Sequence, residues 1–300
     1  MKTFTFIFYV FLGIIITAFD FHTNPSPNER PASLKLSEDS YKTFYNGNVT
    51  VNKLFNEDDL MGYAIWLKRS SEKVKAKYFA CGEANKRYEE WKSKRKIVMA
   101  CSGAFTTNDY GSPMPVGLTV DNGLVVNKNL NEEMDGLVIV YGTGGIVVSD
   151  IEKGDLHLKS INKSVDIRES WDRYELTKWA EKEEATIFQT QLLAYDNNLR
   201  LEVNKARKDS RERRILVLVK DKKNTLFHVV FDIHDGVYLG EIAEGILNYF
   251  KGKDCYVAAM LNLDTGWYNL MKLYNEGQEI VLKKNPEKNP TNLLAYYYEE

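Results

Sequence analysis

The chain has 300 residues, of which 44% are hydrophobic and 12% aromatic, and its formal net charge at pH 7 is −2. This composition is typical of a globular protein that is large enough to bury a sizeable core. The charge is near neutral and no basic stripe with interleaved aromatic residues occurs, which argues against nucleic acid as the partner.

The N-terminal segment has the pattern of an export signal. Lys2 precedes an apolar run from Thr3 to Phe19, and a proline-rich stretch follows. We predict a signal peptide or an uncleaved signal anchor over residues 1–19, a flexible spacer over 20–33 and a single domain over 34–300. A buried core helix is the third alternative for the apolar run. An exported protein of this kind would be periplasmic, cell-surface or secreted, and it would contact a membrane only through an uncleaved N-terminal segment.

The first third of the predicted domain combines strands with one helix. Asn48 to Phe55 and Tyr63 to Lys68 alternate apolar and polar residues, as strands do. Glu83 to Lys96 is highly charged and carries Tyr88 and Trp91 three positions apart, which favours a helix on the surface.

The stretch from Ile97 to Asn127 is the most informative part of the sequence. Its apolar start, Ile97 to Ala100, predicts a buried strand that opens into the small and polar residues Cys101 to Ala104. After a polar loop and a second predicted strand, Asp121-Asn122-Gly123 predicts a tight hairpin turn, because Asn-Gly tolerates positive φ. Such a strand end is a place where polar ligands are bound. An ordinary strand, loop and hairpin is the alternative interpretation.

The middle of the chain predicts a further hairpin, a helix and a long strand. Gly142 to Gly145 lies between two β-like runs without a helix after it, which indicates a turn rather than a phosphate-binding loop. Glu169 to Glu184 has aromatic residues at helical spacing, which are more often core than ligand-binding groups. Thr186 to Tyr195 predicts a strand with Gln189 and Gln191 on one face.

The last third predicts a hairpin, an amphipathic helix and two buried strands. Apolar residues recur at helical spacing from Leu239 to Phe250, and Gly252 stands where a C′ glycine belongs. Tyr256 to Leu263 predicts a buried strand that ends at Asp264, and Leu293 to Tyr298 predicts the last strand. Many strands with few helices indicate an α+β fold with a mixed, largely antiparallel sheet and a few packed helices.

The sequence predicts no metal site and identifies no cofactor. The four histidines are scattered, and no CxxC, HExxH or Walker motif occurs. The three cysteines allow at most one disulfide.

Several short motifs occur in an order that resembles the phosphodiester glycosidase domain family. These motifs lie at Ser102 to Phe105, Pro115 to Gly123, Phe188 to Leu193, Arg213 with Ile215 to Ile233, Leu261 to Gly266 and Thr291 to Leu294. The resemblance covers residues 76–298. It implies a phosphodiester glycosidase-like fold and hydrolysis of a glycosyl phosphodiester or a related glycoside, with a carbohydrate or sugar phosphate as the ligand.

Chemical reasoning assigns roles to residues in these motifs. Cleavage at the sugar carbon builds positive charge on the ring and expels a phosphate, so the site needs a carboxylate and a cation. Asp264 is the predicted catalytic carboxylate, and Arg213, or its neighbour Arg214, is the predicted phosphate-binding cation. The predicted substrate-binding residues are Ser102, Asn108, Gln189 and Asp121. The alternatives are a turn role for Asp121, pairing inside the sheet for Gln189 and a solvated charge run for the arginines.

A second hypothesis comes from departures from the family pattern. The family has several glycines after the aspartate, where this chain has Thr265, Gly266, Trp267 and Tyr268. These bulky residues stand where glycines let a ligand approach the backbone. An inactive family member that binds a surface glycan through Trp267, Tyr268 and Tyr110, or that has a structural role in the envelope, is therefore the alternative function.

Overall fold

A computed structural model describes residues 33–80, 83–107, 113–154, 156–201, 209–282 and 290–300. The predicted signal segment lies outside the described residues, as does the predicted spacer apart from its last residue. Pro31–Glu300 form one compact unit. Among the described residues, no helix is both long and apolar enough to cross a membrane.

The first ten strands extend from residue 34 to residue 150. They are β1 (Leu34–Leu36), β2 (Lys42–Phe44), β3 (Val49–Asn56), β4 (Asp59–Lys68), β5 (Val74–Phe79), β6 (Lys96–Ser102), β7 (Thr119–Asp121), β8 (Leu124–Asn127), β9 (Gly136–Val140) and β10 (Ile146–Asp150). The turn predicted at Gly142 to Gly145 connects β9 and β10, which pair antiparallel.

Ten further strands follow. They are β11 (Leu156–Leu158), β12 (Lys163–Val165), β13 (Thr186–Tyr195), β14 (Asn198–Leu199), β15 (Arg211–Lys220), β16 (Leu226–Val237), β17 (Tyr256–Leu263), β18 (Met271–Asn275), β19 (Gln278–Ile280) and β20 (Leu293–Tyr298). The described part also contains the helices α1 (Ala84–Lys92), α2 (Ser170–Lys182) and α3 (Leu239–Lys251). The predicted α+β class with largely antiparallel strands is confirmed.

Two antiparallel sheets form the body of the unit. The main path of the larger sheet has the order β1-β3-β4-β16-β15-β17-β13-β7-β8, and the smaller has the order β19-β18-β6-β20-β5. Apolar side chains from both sheets, such as Leu216 and Leu261 from the larger and Val98 and Tyr296 from the smaller, share one buried cluster. The sheets therefore pack on each other, and the ends of β17 and β6 meet at the same place.

The helices cover the remaining apolar surfaces. Helix α3 buries Ile242, Ala243, Ile246 and Phe250 against the larger sheet, because these residues share one stripe of the helix. Each large apolar side chain that is buried in this way stabilises the fold by about 1.5–3 kcal/mol. Helix α2 packs on a third cluster through Leu176, Trp179 and Ala180, and α1 packs on the smaller sheet.

Two predictions about glycines have different outcomes. The predicted Asn-Gly turn is present between β7 and β8, with φ of 52° at Asn122 and 81° at Gly123. The prediction that Gly252 is the C′ glycine of α3 is wrong. Gly252 is the C-cap residue, and its φ of −65° is right-handed. The left-handed residue after this helix is Asp254, with φ of 54°.

Candidate functional site

Asp264 lies where β17 leaves the larger sheet and turns toward the smaller one. Its backbone N–H donates to the carbonyl of Gly103 at 3.0 Å, just after β6 ends. The carboxylate Oδ1 accepts the N–H of Gly266 at 2.7 Å, and Thr106 also donates hydrogen bonds to this carboxylate. The Asp264 loop, residues 264–270, is thus joined by hydrogen bonds to the segment that follows β6.

Ser102 clamps the Asp264 loop to the smaller sheet. Its hydroxyl donates to the carbonyl of Tyr268 at 2.6 Å and accepts the N–H of Leu270 at 2.9 Å. Its backbone N–H donates to the carbonyl of Leu270 at 3.0 Å. Because Ser102 is 1% exposed and its hydroxyl already forms hydrogen bonds as donor and as acceptor, it positions the loop. This finding corrects the prediction that its hydroxyl faces a sugar.

Arg214 holds the same loop from the larger sheet. Its Nη1 donates to the backbone carbonyls of Asp264 at 3.3 Å and Leu270 at 3.0 Å and to Oδ1 of Asn269 at 2.9 Å. Its Nε and Nη2 both donate to Oδ1 of Asp232, at 3.1 and 2.8 Å. The Arg214 side chain is 1% exposed. Burial of its positive charge would be costly without the ion pair with Asp232.

The arginine that contacts Asp264 is therefore Arg214 and not Arg213. Successive side chains of a strand point to opposite faces. Ile215 packs against α3 and Leu216 packs between the sheets, so Arg213 lies on the α3 side. Its Nη2 donates to the backbone carbonyl of Asp209 at 2.9 Å. Because of this alternation, the prediction that Arg213 is the cation of the Asp264 site is corrected.

Asp232 is shared between two basic side chains. Its Oδ2 lies 2.9 Å from Nε2 of His234, while its Oδ1 accepts from Arg214. Burial alone would raise the pKa of Asp232, but the charge of Arg214 and the hydrogen bond with His234 lower it to about 2. Asp232 also lines a small pocket against the β18–β19 hairpin, with Glu279 among the other lining residues.

The pKa of Asp264 is shifted in the opposite direction. Its side chain is buried, and the residue is 5% exposed. Burial raises the pKa of Asp264, and this effect outweighs the hydrogen bonds from Gly266 and Thr106 and the charge of Arg214, which lower it. A carboxylate with a raised pKa is a stronger base than an ordinary one, which suits it to accepting a proton.

Gln189 is a structural side chain in this fold. Its Oε1 accepts the N–H groups of Leu118 at 2.5 Å and Asn131 at 3.2 Å. Its Nε2 donates to the carbonyls of Asn131 at 3.2 Å and Met134 at 2.7 Å. Both donors and both lone pairs are used, and Gln189 is buried. The prediction that it binds substrate is corrected, because no hydrogen-bonding capacity remains.

Asp121 connects the β7–β8 hairpin to helix α1. Its Oδ2 accepts from Nη1 of Arg87 at 2.6 Å and from the backbone N–H of Ala80 at 3.0 Å. The carboxylate is 0% exposed. The structural alternative for Asp121 is therefore the one that the contacts support, and its predicted role in substrate binding is corrected.

Asn108 and Tyr110 lie outside the described residues, but the start of their loop is well defined. The hydroxyls of Thr106 and Thr291 lie 2.8 Å apart. The Oδ1 of Asn292 accepts the Gly103 N–H at 3.1 Å and the Tyr78 hydroxyl at 2.7 Å, and its Nδ2 donates to the Ala104 carbonyl at 3.0 Å. Thr291 and Asn292 therefore fix the turn against which Asp264 rests.

Sequence reasoning missed the roles of Thr106, Asp232, His234 and Asn292. Two signals were present in the sequence. Asp232 interrupts the apolar run of β16, and a charged residue in a buried strand requires a partner. Thr291 and Asn292 belong to a motif that carried the resemblance, but that motif gave no role for either residue.

Trp267 marks the outer side of the Asp264 loop. Trp267 is 74% exposed, so its bulk is directed mainly into solvent. Among the described residues, no group of three or more His, Cys, Asp and Glu side chains is placed to hold a metal ion.

No protein-family model matches the sequence, and no curated protein matches it. Solved structures similar to the chain include the catalytic domain of zebrafish N-acetylglucosamine-1-phosphodiester α-N-acetylglucosaminidase, auto-inhibited by its pro-peptide. The TM-score is 0.49 at 13% identity, over 92% of this chain and 86% of that one.

Two bacterial structures are also similar. A hypothetical protein from Synechocystis matches with a TM-score of 0.46 at 9% identity, over 89% of this chain and 62% of that one. A protein of Burkholderia pseudomallei K96243, named as a candidate exported protein, matches with a TM-score of 0.42 at 9% identity, over 83% of this chain and 74% of that one.

Proposed function

We propose that this chain hydrolyses a glycosyl phosphodiester or a related glycoside, with Asp264 as the catalytic carboxylate. The ordered motifs that resemble phosphodiester glycosidases support this choice of substrate. The observation that carries the proposal is the environment of Asp264: a buried carboxylate at a strand end, with a pKa raised by burial, beside the loop that begins at Thr106.

The proposed reaction needs one proton acceptor. A water oxygen attacks the anomeric carbon, and the bond from that carbon to the phosphate oxygen breaks with its electron pair on the phosphate. Asp264 takes the proton of the attacking water and later releases it to solvent. A phosphate monoester leaves without a proton donor, so a single basic carboxylate serves this reaction.

The other side chains have supporting roles in this proposal. Arg214 and Ser102 hold the Asp264 loop from the two sheets, through Asn269, Leu270 and Tyr268. The Arg214 guanidinium is buried and bonded to Asp232, so we assign it the positioning of Asp264 rather than the binding of phosphate. Asn108 remains the proposed hydrogen-bonding partner of the sugar.

The decisive experiment compares Asp264→Asn with wild type on glycosyl 1-phosphodiesters of N-acetylglucosamine, glucose and mannose, measured as released phosphate monoester. We expect at least a hundredfold loss of turnover in Asp264→Asn, on the scale of general base catalysis. Asp121→Asn is the matched control, because it removes a buried carboxylate that joins the hairpin to α1. Equal turnover in wild type and Asp264→Asn would refute the assignment.

Glycan binding without catalysis is the second candidate function. The exposed Trp267 indole favours it, because aromatic faces on a surface pack on sugar rings. In that case Trp267→Ala would abolish binding of an oligosaccharide, Asp264→Asn would bind normally, and wild type would release no phosphate monoester.

Export is part of the same proposal, and it is supported by the apolar run from Thr3 to Phe19 after Lys2. We expect the chain in the exported or membrane fraction, with an N-terminus after about residue 18 if the segment is cleaved. Recovery of the full-length chain in the cytosolic fraction would contradict export.

A further inference from the structure

Aromatic and cationic side chains gather at one end of the larger sheet, away from the β17–β13 half. We call this group the Tyr41 cluster; it consists of Tyr41, Lys42, Lys53, Tyr63 and His234. The rings of Tyr41 and Tyr63 lie 5.6 Å apart at 41°, and those of Tyr63 and His234 lie 5.7 Å apart at 57°. Tyr41 is 44% exposed, so one end of the cluster is open to solvent.

The sheet register places the cluster on a defined face. Arg214 pairs with Asp232, Asp232 with Tyr63, and Tyr63 with Lys53, each on the neighbouring strand. Registered partners point to the same face, so this row extends from the buried ion pair to the surface over about 14 Å. Lys42 pairs with Val51, two residues before Lys53, and therefore shares that face.

Both lysines direct their ammonium groups at the Tyr41 ring. The Nζ atoms of Lys42 and Lys53 lie 5.3 and 5.5 Å from the ring centre. Within the described part of the chain neither lysine forms a salt bridge, and the nearby Asp232 carboxylate already bonds Arg214 and His234. Two positive charges thus share one aromatic ring, and no carboxylate of the described residues forms a salt bridge with either. Like charges in such a place favour a bound anion.

We propose that the Tyr41 cluster is a binding site for a negatively charged saccharide, that is, a sugar that carries a phosphate or carboxylate group. The ammonium groups of Lys42 and Lys53 would bind the anion as point charges. The exposed Tyr41 ring would pack on the sugar, and its hydroxyl would hydrogen-bond to it. The choice of a sugar as the carrier rests on the proposed function, whereas the anionic character rests on the lysines.

The test measures binding in the Asp264→Asn protein, so that hydrolysis does not enter. The probes are N-acetylglucosamine 1-phosphate, neutral N-acetylglucosamine and inorganic phosphate, and the readout is isothermal titration calorimetry at low and high salt. The variants are Lys42→Gln/Lys53→Gln and Tyr41→Ala. The control is Lys222→Gln/Lys223→Gln, which removes the same charge from an exposed turn after β15.

We expect the sugar phosphate to bind more tightly than either part alone, and more weakly as salt increases. Lys42→Gln/Lys53→Gln should weaken its binding at least about tenfold relative to the control. Tyr41→Ala should remove the advantage of the sugar phosphate over inorganic phosphate. Equal affinity in both double variants would overturn the site, and equal binding of phosphate and sugar phosphate to wild type would overturn the saccharide. If wild type binds the sugar phosphate at this site but hydrolyses none of the phosphodiesters, only the proposed hydrolysis is refuted.

Discussion

Arg214 bonds Asp264 through the backbone carbonyl, at 3.3 Å, and bonds Asp232 through the carboxylate, at 2.8 Å. One guanidinium therefore acts on two aspartates in different ways. The pKa of Asp232, whose carboxylate it pairs, falls to about 2. The pKa of Asp264, whose carboxylate lies outside the ion pair, is raised by burial. Divergent pKa values around one charge are the pattern expected of a site with an acid–base role.

Asp264→Asn should stabilise the protein at neutral pH. The pKa of this carboxyl is higher in the folded protein than in the unfolded chain, where it is about 3.9. The group therefore favours folding below the unfolded pKa, and this contribution is lost as pH rises through the folded pKa. Asn retains an acceptor for the Gly266 N–H. Urea unfolding should therefore show an advantage for Asp264→Asn at pH 7 that disappears at pH 3.5. A less stable variant at pH 7 would contradict burial as the dominant cause of the raised pKa.

Asp232→Asn should strongly destabilise the fold. It leaves Arg214 buried without a counter-charge, which costs about 3–5 kcal/mol in comparable buried pairs. Because the folded pKa is lowered to about 2, the stabilisation by Asp232 is present above about pH 4 and is lost as pH falls toward 2. Chemical unfolding of Asp232→Asn at pH 7 measures the loss. Asp209→Asn, which removes the partly exposed partner of Arg213, is the control and should change stability by less than about 1 kcal/mol.

His228 should make the protein sensitive to mild acid. It is 1% exposed, its Nδ1 lies 3.0 Å from the Tyr296 hydroxyl, and burial lowers its pKa well below 6.5. Below about pH 6.5 this histidine is protonated in the unfolded chain but stays neutral in the folded protein. The free energy of unfolding therefore decreases as the pH decreases, by up to about 1.4 kcal/mol per pH unit. In unfolding experiments from pH 7 to 5, His228→Gln should reduce this slope. The exposed His157→Gln serves as the control, and an unchanged slope in His228→Gln would exclude His228 as its source.

Gly123→Val should destabilise the β7–β8 hairpin more than Gly277→Val destabilises the β18–β19 hairpin. Both glycines have positive φ, 81° and 84°, so both substitutions strain the backbone by about 1 kcal/mol or more. A Cβ at Gly123 would also lie 2.6 Å from Cα of Glu181 on α2, whereas one at Gly277 meets nothing within 4 Å. The difference in thermal midpoint measures the clash with Glu181, and equal midpoints would argue against this packing.

The elements were predictable where the pattern is local. The spacing of Leu239, Ile242, Ile246 and Phe250 predicts α3, and the Asn122-Gly123 pair predicts its turn, because each depends on neighbouring residues only. The end of β17 at Asp264 was likewise visible as an apolar run followed by a polar residue.

The candidate site was predictable only in part, because its contacts join distant segments. The hydroxyl of Ser102 bonds Tyr268, which is 166 residues away, and no local pattern reveals that the hydroxyl is already used. The choice between Arg213 and Arg214 depends on the side-chain alternation and the register irregularity of β15. All hydrogen-bonding groups of the Gln189 side chain are occupied by two loops, and the sequence pattern does not show that these loops come together.

The position of β20 between β5 and β6 has a consequence for how the protein is made. Until residues 293–298 have been synthesised, β5 and β6 have no strand between them and Asn292 cannot fix the turn at Gly103. Because this closure spans about two hundred residues of chain, it should be slow. A nascent chain therefore displays two open apolar strand edges for most of its synthesis, and such edges are suitable for capture by a chaperone that binds unfolded chains.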